Sequence, residues 1–181
     1  MTAAPPSTPP SLAAVLASVG GEGLPPVHLW SPDHCGAIDI VIRRDGVWMH
    51  EGSPIGRPEL VRLFSTVLRH DPDGYHLVTP VEKLSLTVED LPFRAVSVDV
   101  EGDDLVFVTD VGDRVTAGPE HPIEVETGPD DEPRPRLHVR RNLWARISRS
   151  VFYELVERAE DADGALIVRS GGAAFSLGRA G

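Results

Sequence analysis

Two periods of apolar residues organise this chain. Ile38, Ile40 and Ile42 alternate with Asp39, Val41 and Arg43, and a period of two puts alternate side chains on one face of a strand. Asp45-Gly46 follows, a pair that favours a type I′ hairpin. Residues 47–50 form the expected return strand, with Trp48 and His50 on one face and Val47 and Met49 on the other. After the turn Gly52-Ser-Pro-Ile-Gly56 the period lengthens. Leu60, Val61, Phe64, Val67 and Leu68 stand at helical spacing, and Pro58 suits the first helical position. Asp71-Pro-Asp-Gly74 closes that expected helix, and residues 75–79 read as the next strand.

The second half begins with short apolar runs at 95–100, 105–109, 114–117 and 123–126, separated by Gly/Asp turns, the pattern of an antiparallel meander. Residues 136–140 read as another strand. Asn142 is expected to cap a helix that turns Leu143, Ile147, Val151, Phe152, Leu155 and Val156 inward. Asp163-Gly164 ends it, and 165–168 is a strand. Near the start, residues 1–10 are rich in Pro, Ala, Ser and Thr and are expected to be flexible. Ser11 is placed to cap a short helix carrying Leu12, Val15, Leu16 and Val19.

The halves repeat one another. Each has a helix with paired apolar residues, then an Asp-Gly turn, then a strand, at an offset of about ninety residues. The expected fold class is therefore α+β, built from duplicated hairpin-helix-strand units. The expected division is 1–22, a flexible segment with a short helix; 23–85, an N-terminal α+β domain; and 86–181, a C-terminal domain made of a meander plus a helix.

Composition narrows the class. With 41% hydrophobic and 25% charged residues, the chain is ordinary for a water-soluble globular protein. No apolar run is long enough to span a bilayer as a helix, and no Lys or Arg precedes Arg43, so no signal peptide is read. One cysteine excludes an internal disulfide and the multi-cysteine zinc patterns. The expected location is the cytoplasm. Net charge is −11, and residues 99–132, with twelve acids against Arg114, account for all of it. That field repels duplex nucleic acid and anionic membranes. The segment 133–153 is its opposite, with six arginines and no acid; those arginines either hold an anion or pair with the acidic stretch.

Lys83 is the only lysine among 17 basic residues. Lysine supplies a compact, rotatable charge that arginine cannot imitate, so the segment Thr79-Pro-Val-Glu-Lys83 is a candidate site. In an extended chain Thr79, Val81 and Lys83 share a face, with Glu82 on the other; an edge strand with exposed charges is the structural alternative. Arg57 stands where a helix begins, beside free backbone N–H groups, a suitable cradle for a phosphate or carboxylate. Arg140 and Arg141 precede the second expected helix start, with Arg146 and Arg149 on its outer side. The seven histidines show no metal-ligand spacing, and neither a cofactor nor a metal is expected. No phosphate-binding glycine loop, nucleophile elbow or dinucleotide fingerprint is present.

Cys35-Gly-Ala-Ile-Asp39, DGVWMHEGSPIGRPELVRLF (45–64), DGYHLVTPVEK (73–83), VEDLPF (88–93) and VRRNLWARISRSVFYELVE (139–157) occur in this order. Together, from about Pro26 to Leu177, they resemble the DUF1285 family, bacterial proteins of unknown function. The resemblance implies a duplicated α+β unit and a C-terminal half loosely like a pleckstrin-homology fold. It also implies a ligand site between the halves, a nucleotide-like ligand and a role in signalling. An aromatic residue usual in relatives near Arg136–Leu137 is missing here.

The leading expectation is a regulatory module that binds an anionic or nucleotide-like small molecule where the halves meet. Lys83, Arg57 and Arg140 would hold the anion. Thr79 and Glu82 would supply polar contacts, and Trp48 or Phe93 an aromatic wall. The alternative is a protein-interaction module with no small ligand, in which the same residues serve stability and a sheet edge takes a partner strand. An enzyme using Lys83 as an amine nucleophile or base, with Glu82 nearby, ranks behind both.

Overall fold

The computed structural model describes residues 24–180. The N-terminal segment 1–22 and the short helix expected from Ser11 lie outside the described residues. The chain divides into two compact units: the first reaches Val88 but excludes Arg44–Gly46, and the second comprises Arg44–Gly46 and Glu89–Gly181.

In the first unit, strands β1 (His34–Ile42), β2 (Trp48–His50) and β3 (Ser53–Pro54) precede helix α1 (Pro58–Thr66). Strands β4 (Leu68–Asp71), β5 (Gly74–Val78) and β6 (Glu82–Val88) follow it. The six strands form one sheet in the order β3-β2-β1-β6-β5-β4. β1 and β6 lie parallel at its centre, with Cys35 opposite Lys83. The alternation read in β1 is the burial pattern: Ile40 and Ile42 are buried, and they form the core with Trp48, Phe64, Leu68, Leu77 and Val78.

Helix α1 is one turn shorter than expected. Pro58 does occupy its first turn with Arg57 at the N-cap. At the other end the Ser65 and Thr66 hydroxyls donate to the carbonyls of Arg62 and Leu63 at 2.5 and 2.6 Å, a local bonding pattern that competes with continued helix. Val67 and Leu68, read as the helix's last apolar pair, are buried as the chain turns into β4 instead. Asp71 and Gly74 are thus hairpin residues between β4 and β5, paired across the turn.

The second unit holds β7 (Phe93–Glu101), β8 (Asp104–Thr109), β9 (Arg114–Thr116), β10 (Ile123–Thr127), β11 (Pro133–Arg140) and β12 (Leu143–Ile147). Helix α2 (Arg149–Arg158) and strands β13 (Glu160–Ala162), β14 (Ala165–Ser170) and β15 (Ala173–Arg179) complete it. Its larger sheet runs β10-β11-β12-β7-β8-β9, and β13-β14-β15 form a three-stranded sheet. The expected meander therefore breaks after β9: β10 does not pair with it, and β12 joins β7 in parallel.

The helix expected from Asn142 is also corrected. Leu143, Ala145 and Ile147 are buried while Trp144 and Arg146 are half-buried, a period of two. Residues 143, 147 and 151 satisfy helical spacing as well, which is why the pattern misleads. The helix begins one strand later, where the Ser148 hydroxyl accepts from the Val151 N–H at 3.4 Å. Asp163-Gly164, read as a helix end, is the β13–β14 turn, with both residues at positive φ (54° and 84°) as a type I′ turn demands. Asp45-Gly46 is not of that type, since only Gly46 has positive φ.

These corrections change the fold class. The described residues carry fifteen strands and two α-helices in three sheets, so the protein is mostly β rather than α+β, and the second unit is more than a meander with one helix. The duplication itself holds. Helix, hairpin and strand begin at residues 58, 68, 74 and 82 in the first unit and at 149, 160, 165 and 173 in the second, a nearly constant offset of about ninety residues.

Candidate functional site

Lys83 sits on β6, a central strand, so the edge-strand reading is excluded. Its ammonium lies 2.8 Å from Asp71 Oδ2 and 3.7 Å from Asp73 Oδ1. The Arg69 guanidinium grips the same Asp71 carboxylate with two bonds of 2.8 Å, and its remaining nitrogen donates to the carbonyls of Val27 and Trp30. Buried His76 places Nδ1 3.8 Å from Asp71 and Nε2 3.5 Å from Asp73. The β4–β5 hairpin thus presents two carboxylates to cations from β4 and β6.

Electrostatics follow from this geometry. Burial pushes the Asp71 carboxyl up, but the hydrogen bonds and charges of Arg69 and Lys83 outweigh it and hold the group down at about 2. The Asp71 hydrogen bond raises the Lys83 ammonium above its ordinary value. Lys83 is therefore locked in the charged state, the opposite of a nucleophilic amine. Burial, then the Lys83 charge, pushes His76 down and keeps it neutral. Asp71, Asp73 and His76 bring possible metal-ligand atoms within 4.8 Å of one another. Arg69 and Lys83 already supply the two positive charges that an ion would bring.

The neighbouring candidates have local roles. Thr79 is buried, and its Oγ1 accepts from the N–H groups of Val81 and Glu82 at 3.3 and 3.1 Å, closing the β5–β6 turn. Glu82 pairs with His34 at 3.2 Å. Trp48 is buried in the core, and its indole N–H has no hydrogen-bond partner among the described residues. Arg57 is exposed, and among the described residues no hydrogen bond or ion pair joins it to Lys83. In the second unit Arg140 and Phe93 do come together: the guanidinium lies 5.0 Å from the Phe93 ring centre and 2.7 Å from Asp113.

Most arginines of 134–146 pair with acids. Arg136 meets Glu124 and Glu126, and Arg146 meets Asp90 and Glu126. Around Asp90, however, the balance tips. Arg146 bonds Asp90 twice at 2.9 Å and Arg134 once at 2.6 Å. They line a cavity of about 370 Å³ with Arg44, Arg94, Arg149, Glu132, Phe152 and Tyr153. Five arginines and two carboxylates line it, with Glu126 on Arg146 and the Asp110 charge near Arg94 outside that lining, so cations remain in excess in a chain whose net charge is −11. Burial raises the Asp90 carboxyl, yet Arg146, Arg134 and Arg44 together depress it. Among the described residues Arg44, Arg94 and Arg149 have no carboxylate at ion-pair distance. Arg94 instead donates to the Arg44 carbonyl at 2.9 Å. Arg149 is exposed at the first position of α2.

Sequence reasoning flagged Arg146 and Arg149 but put both on one helix, and it missed Arg44, Arg94, Arg134 and Asp90 as a group. Their separation along the chain hides them. The one available signal was the charge contrast between 99–132 and 133–153, which predicts that arginines outnumber acids somewhere.

A mostly-β chain of two units, with a repeated helix-hairpin-strand segment and its singular lysine held by two aspartates, defines a class by architecture rather than by chemistry. Residues 25–91 match the N-terminal domain, and residues 92–177 the C-terminal domain, of DUF1285, a domain and protein of unknown function. The chain belongs to the DUF1285 family. It is similar to the crystal structure of a DUF1285 family protein from Silicibacter pomeroyi DSS-3, with 43% identity and a TM-score of 0.84 over 93% of this chain and 94% of that one. A DUF1285 family protein from Shewanella baltica OS155 is 25% identical, with a TM-score of 0.54 over 67% of this chain and 92% of that one. No curated protein matches the sequence.

Proposed function

We propose that the protein is a regulatory module whose second unit binds a small anionic molecule, nucleotides among the candidates, in the arginine-lined cavity. The observation that carries this reading is the excess of five arginines over two carboxylates around about 370 Å³. Guanidinium groups recognise phosphate and carboxylate through paired N–H donors, and Tyr153, half exposed at the rim, offers a ring for stacking. Lys83 and Arg140, expected to hold the anion, already have carboxylate partners, so the anion is assigned to Arg44, Arg94 and Arg149. Among the described residues no helix is long and apolar enough to cross a membrane, and the protein is proposed to act in the cytoplasm.

The test is a thermal-shift and calorimetric screen with phosphate, pyrophosphate and nucleotides. A saturable shift that Arg44→Gln/Arg149→Gln reduces at least tenfold in affinity supports the site. No shift with any anion, or equal binding by the double variant, removes it.

A second reading, a protein-interaction module, draws on a different observation: the Asp71–Lys83 pair serves the fold, as expected of motif residues in a chain with no small ligand. On this reading a partner adds a strand at β9 or β10, the edges of the larger second-unit sheet. Pull-down by the wild type, lost on placing proline in β10, would support it.

A further inference from the structure

The arginine cavity does not end at Phe152. Phe152 and Pro133 also line a second cavity of about 530 Å³, whose walls mix aliphatic Val125, Val156, Leu166 and Leu177 with polar Thr127 and Ser176. The two share a wall, and α2 runs along both. Arg149 and Phe152 line the first, and Phe152 and Val156 line the second. Residues three and four apart lie on one helix face, so this face grades from guanidinium through aromatic to aliphatic. The span from 149 to 156 is about 10 Å of helix. Glu126, Asp131 and Arg179 also line the second cavity, two acids against one cation, so an anionic head is favoured among the five arginines of the first.

We infer that the ligand is an amphipathic anion: a phosphate or carboxylate head held by Arg44, Arg94 and Arg149, joined to a hydrocarbon chain lying along Phe152 and Val156 toward Leu166. The inference rests on the proposed anion site and specifies the rest of the molecule. The occupant is a free amphiphile rather than a lipid in a bilayer, since the net charge of −11 opposes approach to an anionic surface.

Calorimetry on the full chain distinguishes the possibilities with four probes: inorganic phosphate, butyl phosphate, decyl phosphate below its micelle concentration, and decanol. Each fully buried methylene strengthens binding about fourfold. A groove that covers only part of the chain should therefore still make decyl phosphate at least about tenfold tighter than butyl phosphate. Arg149→Gln is expected to weaken both phosphates by the same factor. Val156→Asp is expected to weaken the decyl ester alone, and Val156→Ser does so more gently should the aspartate disturb folding. Phosphate and butyl phosphate binding with no gain at decyl overturns the amphiphile and leaves the anion site standing. No binding by any phosphate overturns both. Decanol binding as well as decyl phosphate overturns the role of the arginines. Binding only to phosphatidylglycerol vesicles, with none to monomeric decyl phosphate, overturns the free amphiphile.

Discussion

The Asp71 cluster and the Asp90 cluster are built from the same parts with opposite stoichiometry. At Asp71 two cations, Arg69 and Lys83, meet two carboxylates, and the remaining guanidinium nitrogen is spent on main-chain carbonyls. At Asp90 five arginines and two carboxylates line a cavity, and only Arg134 and Arg146 are paired, with Asp90 and, for Arg146, Glu126 as well. The first arrangement is self-sufficient and serves the fold. The second leaves cationic donors for something outside the chain. A singular residue type is therefore a weaker sign of a ligand site than an unbalanced one: Lys83 is unique in the sequence and structurally satisfied, whereas Arg149 is one arginine among many and has no carboxylate at ion-pair distance among the described residues.

Removing the hub carboxylate should break the comparison hardest. Asp71→Ala leaves Arg69 and Lys83 facing each other in a largely buried site. Loss of one partner of such a network costs about 3 kcal/mol, to be read as a lower urea midpoint. Added phosphate is expected to restore little, because the Asp73 carboxylate remains beside Lys83 and repels it. A midpoint within experimental error of wild type would show that the cluster is ornamental.

Asp90→Asn is the matching change in the other region. It frees Arg134 and leaves Arg146 with Glu126 alone, and a cost of about 2 kcal/mol is expected. Here, unlike at Asp71, phosphate should recover much of the stability, because these arginines line an open cavity. Equal rescue of both variants, or of neither, would erase the distinction between them.

How far these clusters could be read in advance depends on chain distance. The pattern of β1, the first turn of α1 and the ninety-residue repeat are local or periodic features, and the sequence displays them. The ends of both helices were misread because Val67-Leu68 and Leu143–Ile147 satisfy helical and strand periods at once; side-chain bonding at Ser65, Thr66 and Ser148 decides between them. Those misreadings turned a mostly-β chain into an α+β one. Lys83 stands out in the sequence as an oddity, but Asp71-Pro-Asp-Gly74 reads there as a helix end, because the period of 67–68 hides the β4–β5 hairpin that brings Asp71 and Asp73 to it. Asp90 and Arg146 lie 56 residues apart, and only the β7–β12 parallel pairing brings their neighbourhoods together.

Acid titration separates the groups inside the first cluster. His76 is depressed from 6.5 in the folded state. The unfolded chain therefore takes up its proton first, and the stability present above that value is lost as pH falls below about 6.5. Asp71 is depressed from 3.8 to about 2, so a second loss follows between those values. Lys83, being raised, contributes fully below 10.5 and loses its contribution only as pH rises past its folded value. His76→Gln should abolish the first acid step and leave the second. A single step unaffected by that change would place the depression on another group.

The smallest expected effect on stability is the most telling for function. Arg149 is exposed, stands first in α2 and has no carboxylate at ion-pair distance among the described residues. A cation there also faces the positive end of the helix dipole, an arrangement that costs a few tenths of a kcal/mol unless an anion offsets it. Arg149→Gln should therefore leave the urea midpoint unchanged or slightly raised, within about 0.5 kcal/mol, while lowering affinity for anionic probes several-fold. Lys83→Met should show the reverse: a loss of about 1 kcal/mol or more and unaltered anion affinity. The two substitutions form a crossed pair, measured by the same urea titration and the same calorimetry. If both lower stability, or both lower affinity, the division into a structural hub and a ligand-seeking cavity fails.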